Sequence, residues 1–258
     1  TATMVINSNR GIDILTSGAN ILTDSGTTLT YNGVIAGSAG GALNKLITGT
    51  LSLGGANTYD GATNINAGIL NLSSVNSLGS TTSTTVTNGA VLQLAFNAAT
   101  LTNTNPIVLN GTGITGSGAL SFSGSIVTIN NPLTIATSST ISGTGGGTQT
   151  LGGAITGTSP LAISLDNASL VLPSISLTGA NLSVTVGGSV SQTAGITMTD
   201  GNTAQFEFIN ANSDLTLNQA NNFGGTAPVF TGTLANIRDV YLRDTNAAAV
   251  VPSFTGLS

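Results

Sequence analysis

The feature that most constrains the fold of this chain is a recurring pair of apolar residues two positions apart. Residues i and i+2 lie on the same side of a β-strand, whereas a helix brings i, i+3 and i+4 together. The pairs follow one another at intervals of 19, 22 and 28 residues, at Leu51/Leu53, Leu70/Leu72, Leu92/Leu94 and Leu120/Phe122. Each pair predicts a short strand with one buried side, and the recurrence predicts one coil of chain that is repeated with padding.

Turn-forming residues separate these apolar pairs. Asn32-Gly33 and Asn88-Gly89 are the clearest turn signals, since both residue types tolerate tight backbone bends. Asn105-Pro106 and Asn131-Pro132 are expected at strand starts or corners, because proline donates no hydrogen bond to a ladder. The chain is therefore predicted to consist of short strands joined by tight turns.

The composition argues against helices and against disorder. Only 5% of the residues are charged, where roughly 25% is usual, and glycine is abundant at 35 residues. Few strong helix formers remain, and we find no amphipathic helix. The apolar share of 40%, arranged in alternation, is too high for a disordered segment. The sequence therefore predicts an all-β folded chain.

Three β architectures are open to such a chain: a sandwich, a barrel and a solenoid. Recurrence near 20 residues suits one rung of a solenoid, and the Asn and Gly breakers suit its corners. Stacked rungs cover one another, so the interior needs only small aliphatic side chains. We predict a parallel β-helix of about 20 residues per rung, with about 13 rungs and a length on the order of 60 Å.

Residues 1–258 are expected to form one continuous β-helix segment of a longer chain. The window 143–153, GTGGGTQTLGG, is the most glycine-rich and is the candidate for a looser junction. Alternation resumes directly after it, which favours continuation of the same architecture.

The segment Gly49 to Leu72, GTLSLGGANTYDGATNINAGILNL, resembles the autotransporter-associated β-strand repeat. The match includes the leucine pairs at both ends, Asn57 to Tyr59 and Asn66 to Gly68. Within the segment we expect the leucines inside the coil and Asn57, Tyr59 and Asn66 near its corners. Val190 to Ala247 is similar, more loosely, to repeats of filamentous-haemagglutinin-type exoproteins.

These resemblances imply a right-handed parallel β-helix exported across a Gram-negative outer membrane. They further imply an extracellular, outer-membrane-associated location on the bacterial cell surface. The implied function is that of an adhesin, filament or stalk. The implied partners are glycans or proteins on host or neighbouring cells, or further copies joined through the terminal rungs.

The residue inventory predicts a non-enzymatic protein without cofactor or metal. The chain has no His and no Cys, which removes the commonest catalytic bases and metal ligands. Its four cations, Arg10, Lys45, Arg238 and Arg243, form no basic patch, so nucleic acid is not an expected partner. No apolar run is long enough to span a membrane.

Two alternatives stay open. A carbohydrate-active β-helix enzyme would need converging carboxylates; Asp200, Glu207 and Asp214 are spaced by seven residues, which matches no rung, and we expect them at turns. The second alternative is the subunit of a homopolymeric extracellular fibre joined end to end.

The densest charge in the chain lies in NIRDVYLRDT, and it gives the candidate ligand contacts Arg238, Asp239, Tyr241 and Arg243. Simple alternation places Asp239, Tyr241 and Arg243 on one face of a strand. Arg238 then falls on the opposite, half-apolar face with Val240 unless a bulge intervenes. An exposed ion-pair cluster without a ligand explains the same charges.

Overall fold

The computed structural model describes residues 2–255, whose regular structure is almost entirely short β-strand. The strands are β1 (Thr3–Ile6), β2 (Ile12–Asp13), β3 (Ala19–Leu22), β4 (Thr28–Tyr31), β5 (Ile35–Ala36), β6 (Leu43–Leu46), β7 (Thr50–Leu53), β8 (Thr63–Ile65), β9 (Gly68–Leu72), β10 (Thr84–Val86), β11 (Ala90–Leu94), β12 (Ala99–Thr100), β13 (Ile107–Gly111), β14 (Leu120–Phe122), β15 (Val127–Ile129), β16 (Leu133–Gly143), β17 (Gly147–Leu151), β18 (Ile155–Gly157), β19 (Leu161–Leu165), β20 (Ala168–Leu172), β21 (Ile175–Leu177), β22 (Leu182–Val186), β23 (Val190–Gln192), β24 (Ile196–Met198), β25 (Ala204–Phe208), β26 (Ser213–Asn221), β27 (Val229–Thr231) and β28 (Ile237–Asp244). Two 3₁₀ helices, Ile114–Gly116 and Leu234–Asn236, are the only helices in this described part. The predicted all-β class is confirmed.

The strands stack in parallel and form three faces, named here in their order along each turn of chain. The first face runs β1, β4, β7, β9, β11, β14, the second half of β16, β19, β22, β25 and β27. The second face contains β2 with β5, and then β12, β15, β17, β20, β23, β26 and β28. The third face runs β3, β6, β8, β10, β13, the first half of β16, β18, β21 and β24.

The coil is a parallel β-solenoid of about 11 turns with about 22 residues per turn. The predicted solenoid is confirmed, but the predicted number of rungs is too high because many turns are padded at their corners. The 28 residues from Leu92 to Leu120 make one turn and include the first 3₁₀ helix. With strands roughly 4.8 Å apart, the rod is about 50 Å long.

The predicted leucine pairs form the inner columns of the first face. Leu51 pairs with Leu70, Leu70 with Leu92, and Leu92 with Leu120, so the sequence intervals are the lengths of successive turns. None of these four side chains is more than 1% exposed. In the column of Leu51, each leucine packs on an aliphatic side chain above and below it, which explains why the pattern repeats.

The interior also holds most of the aromatic residues. The expectation of small aliphatic side chains alone is therefore wrong. Tyr59, which was placed near a corner, lies between β7 and β8 as expected, but its ring is fully buried. The other buried aromatic side chains are Tyr31, Phe96, Phe122, Phe206, Phe208 and Phe223.

One charged side chain lies inside the coil. Lys45 pairs with Ile21 below and Ile65 above, which places it in an inward column, and it has no exposed surface. Its ammonium group donates hydrogen bonds to the carbonyls of Leu46 at 2.9 Å, Ile47 at 2.6 Å and Ala67 at 3.0 Å. Burial lowers the pKa of Lys45 from 10.5 to about 8.

The glycine-rich window 143–153 contains β17 rather than a long loop. β17 pairs with β15 one turn earlier and with β20 one turn later. A looser junction at this window stays a prediction.

The second face is interrupted in its early turns. Residues 54–62 and 73–83 occupy the place of its strands but form no strand. Backbone hydrogen bonds still connect the turns here, from the amide of Thr58 to the carbonyl of Ile35 and from Ser80 to Tyr59. The interruption leaves polar loops stacked on loops between β5 and β12.

Candidate ligand-contact surfaces

The four residues predicted to contact a ligand lie together on the outer side of β28. The ladder between β26 and β28 shifts register at Arg238, which has no partner in β26. This β-bulge turns Arg238 outward with Asp239, Tyr241 and Arg243, while Val240 remains partly buried. Simple alternation placed Arg238 with Val240 on the inner side, and the bulge corrects that expectation.

Arg238 is the centre of the ion pairs on this surface. Its guanidinium donates to Asp214 through Nε, at 3.0 Å, and through Nη2, and its Nε also lies 3.2 Å from Oδ2 of Asp239. The hydrogen bonds that Arg238 donates to Asp214 raise the pKa of Arg238 above its ordinary value. Because the Arg238 side chain is 57% exposed, these pairs orient the guanidinium more than they stabilise the fold.

Tyr241 and Arg243 are the residues of this surface that are free for another molecule. The Tyr241 side chain is 59% exposed, and Arg243 is exposed and forms no ion pair with any residue in 2–255. The two residues are two positions apart on one side of a strand, about 7 Å from each other.

The carboxylates considered for catalysis lie in different surroundings. Asp200 lies in a turn, as expected, but Glu207 and Asp214 lie within β25 and β26, so their expected turn positions are wrong. Glu207 accepts a hydrogen bond from Thr185, and Asp214 pairs with Arg238. Among residues 2–255, no group of three or more Asp, Glu, His or Cys side chains is arranged to hold a metal.

In the part of the chain described, neither short helix has the length or apolarity needed to cross a membrane.

A polar groove of about 470 Å³ lies where the second face is interrupted. Residues of three stacked segments line it: Ala56 to Thr58; Asn76, Gly79 and Ser80; and Thr102 to Asn105. No lining residue is charged and none is aromatic.

Two buried asparagines form the floor of the groove. Asn57 accepts a hydrogen bond from the amide of Ile35 at 2.8 Å and donates to the carbonyl of Ser77 at 2.6 Å. Asn103 donates to the carbonyls of Gly79, at 3.2 Å, and Thr81, at 3.1 Å. These bonds tie successive turns together and hold the loops that would otherwise lack a ladder.

Sequence reasoning identified Asn57 as a corner residue but not this groove. A signal was present, because the segments that line it, GGANT, NSLGS and TNTN, concentrate Asn, Ser, Thr and Gly. Their alignment depends on the padding of each turn, which the repeat pattern alone does not give.

Comparisons with known proteins agree with the resemblance described from Gly49 to Leu72. Residues 43–72 match the passenger-associated-transport-repeat family, and residues 161–229 match a family described as repeats of unknown function. The chain is 35% identical over 141 residues, 55% of its length, to the adhesin BmaC autotransporter of Brucella suis biovar 1 (strain 1330). It spans 4% of that adhesin's length. No solved structure matches it.

The chain is thus similar to a segment of an autotransporter passenger, and the predicted resemblance is confirmed. The fold and these matches support a rod of the autotransporter-passenger type with an extracellular, outer-membrane-associated location. They favour a non-enzymatic protein.

Proposed function

We propose that this rod contributes adhesive contacts along its side and holds them away from the cell surface. The observation that carries this proposal is the outer side of β28, where Arg238, Asp239, Tyr241 and Arg243 point away from the coil. Tyr and Arg are the residue types that contribute most to protein contacts.

The partners are glycans or proteins on host or neighbouring cells. Among residues 2–255, Tyr241 and Phe254 are the only exposed aromatic side chains, so each contact is weak and binding depends on many copies at one surface. Brucella BmaC is named an adhesin, which supports the same function for this chain.

A cell-binding assay with the 258-residue chain on fluorescent beads tests the proposal. We expect the beads to bind cultured epithelial cells and the double variant Tyr241→Ser/Arg243→Ser to bind roughly tenfold less, a loss of about 1.4 kcal/mol. Arg10→Ser is the matched control, because Arg10 is also exposed but lies at the other end of the coil. Wild-type beads that do not bind, or an equal loss in the control, would contradict the proposal.

A further inference from the structure

The adhesive contacts proposed at β28 do not involve the polar groove on the interrupted second face. Its volume of about 470 Å³ is within the range of small-molecule sites, about 300–1,000 Å³. The groove lies where residues 54–62 and 73–83 form loops instead of strands of the second face.

The lining determines the charge of a suitable ligand. All lining residues are uncharged, so the groove offers no oppositely charged side chain to a phosphate, sulfate, carboxylate or ammonium group. Ala56 is the one lining residue with an apolar side chain, so the groove is also a poor site for an apolar ligand. The chemistry that remains is a neutral molecule with many hydroxyl groups.

The lining also separates into a fixed floor and a free rim. Asn57 and Asn103 are buried, and their amides are committed to hydrogen bonds within the coil. The side chains of Thr58, Ser80 and Thr104 are exposed, and their hydroxyls form no hydrogen bond within the described chain. A rigid floor with free donors and acceptors above it binds with little ordering cost.

The spacing of the rim groups suits a chain of sugar rings. The rim residues belong to three successive turns, which lie roughly 4.8 Å apart, a length comparable with one ring of an oligosaccharide. A bound peptide would instead use an unpaired strand edge or apolar side-chain pockets, and the groove provides neither.

We propose that this groove binds a short neutral oligosaccharide along the rod axis, with Thr58, Ser80 and Thr104 as its hydrogen-bonding partners. The proposal deepens the adhesive function, on which it rests for the glycan-bearing cell surface that the rod meets. It adds a second contact site, several turns away from β28.

Saturation-transfer NMR with the 258-residue chain detects weak sugar binding directly. The probes are maltotriose, mannotriose, N-acetylchitotriose and lactose, with sialyllactose as an acidic comparator and the peptide Ser-Asn-Thr amide as a peptide comparator. We expect at least one neutral sugar to bind, and neither comparator to bind more tightly. No signal from any neutral sugar, or preference for a comparator, overturns the proposal.

A pair of matched variants locates the binding. Ser80→Ala/Thr104→Val removes two free hydroxyls of the groove with little change in volume, and we expect about tenfold weaker binding. Thr134→Val/Ser176→Ala makes the same two changes at exposed positions of the third face, and we expect no change. Circular dichroism verifies that both variants fold. Equal binding by both variants overturns the proposal.

The cell-binding assay separates this inference from the proposed function. If wild-type beads bind cells but no sugar binds the groove, the adhesive function stands and the groove proposal fails. If a sugar binds the groove but the beads do not bind cells, the groove proposal stands and the adhesive function fails.

Discussion

Lys45 is a charged residue that lies in the buried interior of the coil. A buried ammonium without a carboxylate partner is costly, because it loses its hydration. Three carbonyl acceptors at the corners of two successive turns compensate part of that cost. The lowered pKa shows that the compensation is incomplete. Lys45 therefore connects two turns at the expense of stability near neutral pH.

The pH dependence of stability tests this position. The pKa of Lys45 is about 8 in the folded chain and 10.5 in the unfolded chain, so the unfolded chain binds the extra proton between these values. Stability therefore rises between pH 8 and 10.5 and is lost again as the pH falls through 8, by about 3 kcal/mol in total. We expect denaturant unfolding to show this rise in the wild type but not in Lys45→Met.

The comparison with Lys45→Met also removes an opposing effect. Burial raises the pKa of Tyr59 from 10.0 to about 12, so its contribution is complete below pH 10 and is lost as the pH rises through 12. Tyr59 is present in both proteins, so its effect cancels in the difference. A difference between the two proteins that stays constant from pH 7 to 10.5 would contradict a buried Lys45.

Comparing Gly68 with Gly89 separates two costs of replacing a glycine: the strain of a left-handed backbone and the crowding of an added Cβ. Gly68 and Gly89 both have left-handed backbones, with φ of 73° and 81°. A Cβ on Gly68 would lie 2.3 Å from the carbonyl oxygen of Gly49, whereas one on Gly89 would meet nothing within 4 Å. We expect Gly89→Ala to cost about 1 kcal/mol for its backbone alone, and Gly68→Ala about 3 kcal/mol. Equal losses in urea unfolding would show that crowding at Gly68 is relieved elsewhere.

At the scale of the element, β28 is held by a buried asparagine as well as by its ladder. The side chain of Asn221 donates to the carbonyls of Leu217 and Arg243, each at 2.9 Å, and accepts from the amide of Ile196 at 2.9 Å. Its Oδ1 also accepts a hydrogen bond from Nε2 of Gln192 at 2.9 Å. One amide thus ties three turns together beside the proposed contact surface.

Loss of this amide should loosen β28 selectively. Asn221→Ala leaves several buried polar groups without partners, and we expect it to lower the free energy of unfolding by about 3 kcal/mol. Hydrogen exchange should become faster at the β28 amides than in the first turns of the coil. Asn218→Ala, at an exposed position of the same strand, should change neither measurement. Uniform acceleration along the rod would contradict a local role.

At the scale of the whole molecule, the sequence predicts the features that recur in every turn but not the features that occur in a single turn. The leucine columns were predictable, because every turn places Leu51 and its equivalents in the same surroundings. The inward position of Lys45 also follows from alternation with Leu43, although charge alone suggests the surface. The bulge at Arg238 and the groove depend on the register between turns, which local pattern does not determine.

Continuity of the rod is the property of the whole molecule that is most open to a test. The ladders of all three faces continue past residues 143–153, through β16 with β19, β16 with β18, and β17 with β20. Each turn is stabilised mainly by its neighbours, so cooperativity spreads only as far as the ladders continue. An unbroken stack should unfold as one unit.

We therefore expect a core substitution in either half to shift one shared transition. Leu70→Ala and Leu170→Ala remove fully buried leucines on opposite sides of the window 143–153, and each should cost about 3–4 kcal/mol. Urea unfolding followed by circular dichroism should give a single transition with an unchanged m-value in both variants. Hydrogen exchange should accelerate in both halves of each variant. If the window is a looser junction, each variant will instead show two transitions, and a protease will cut within 143–153 after only the substituted half has unfolded.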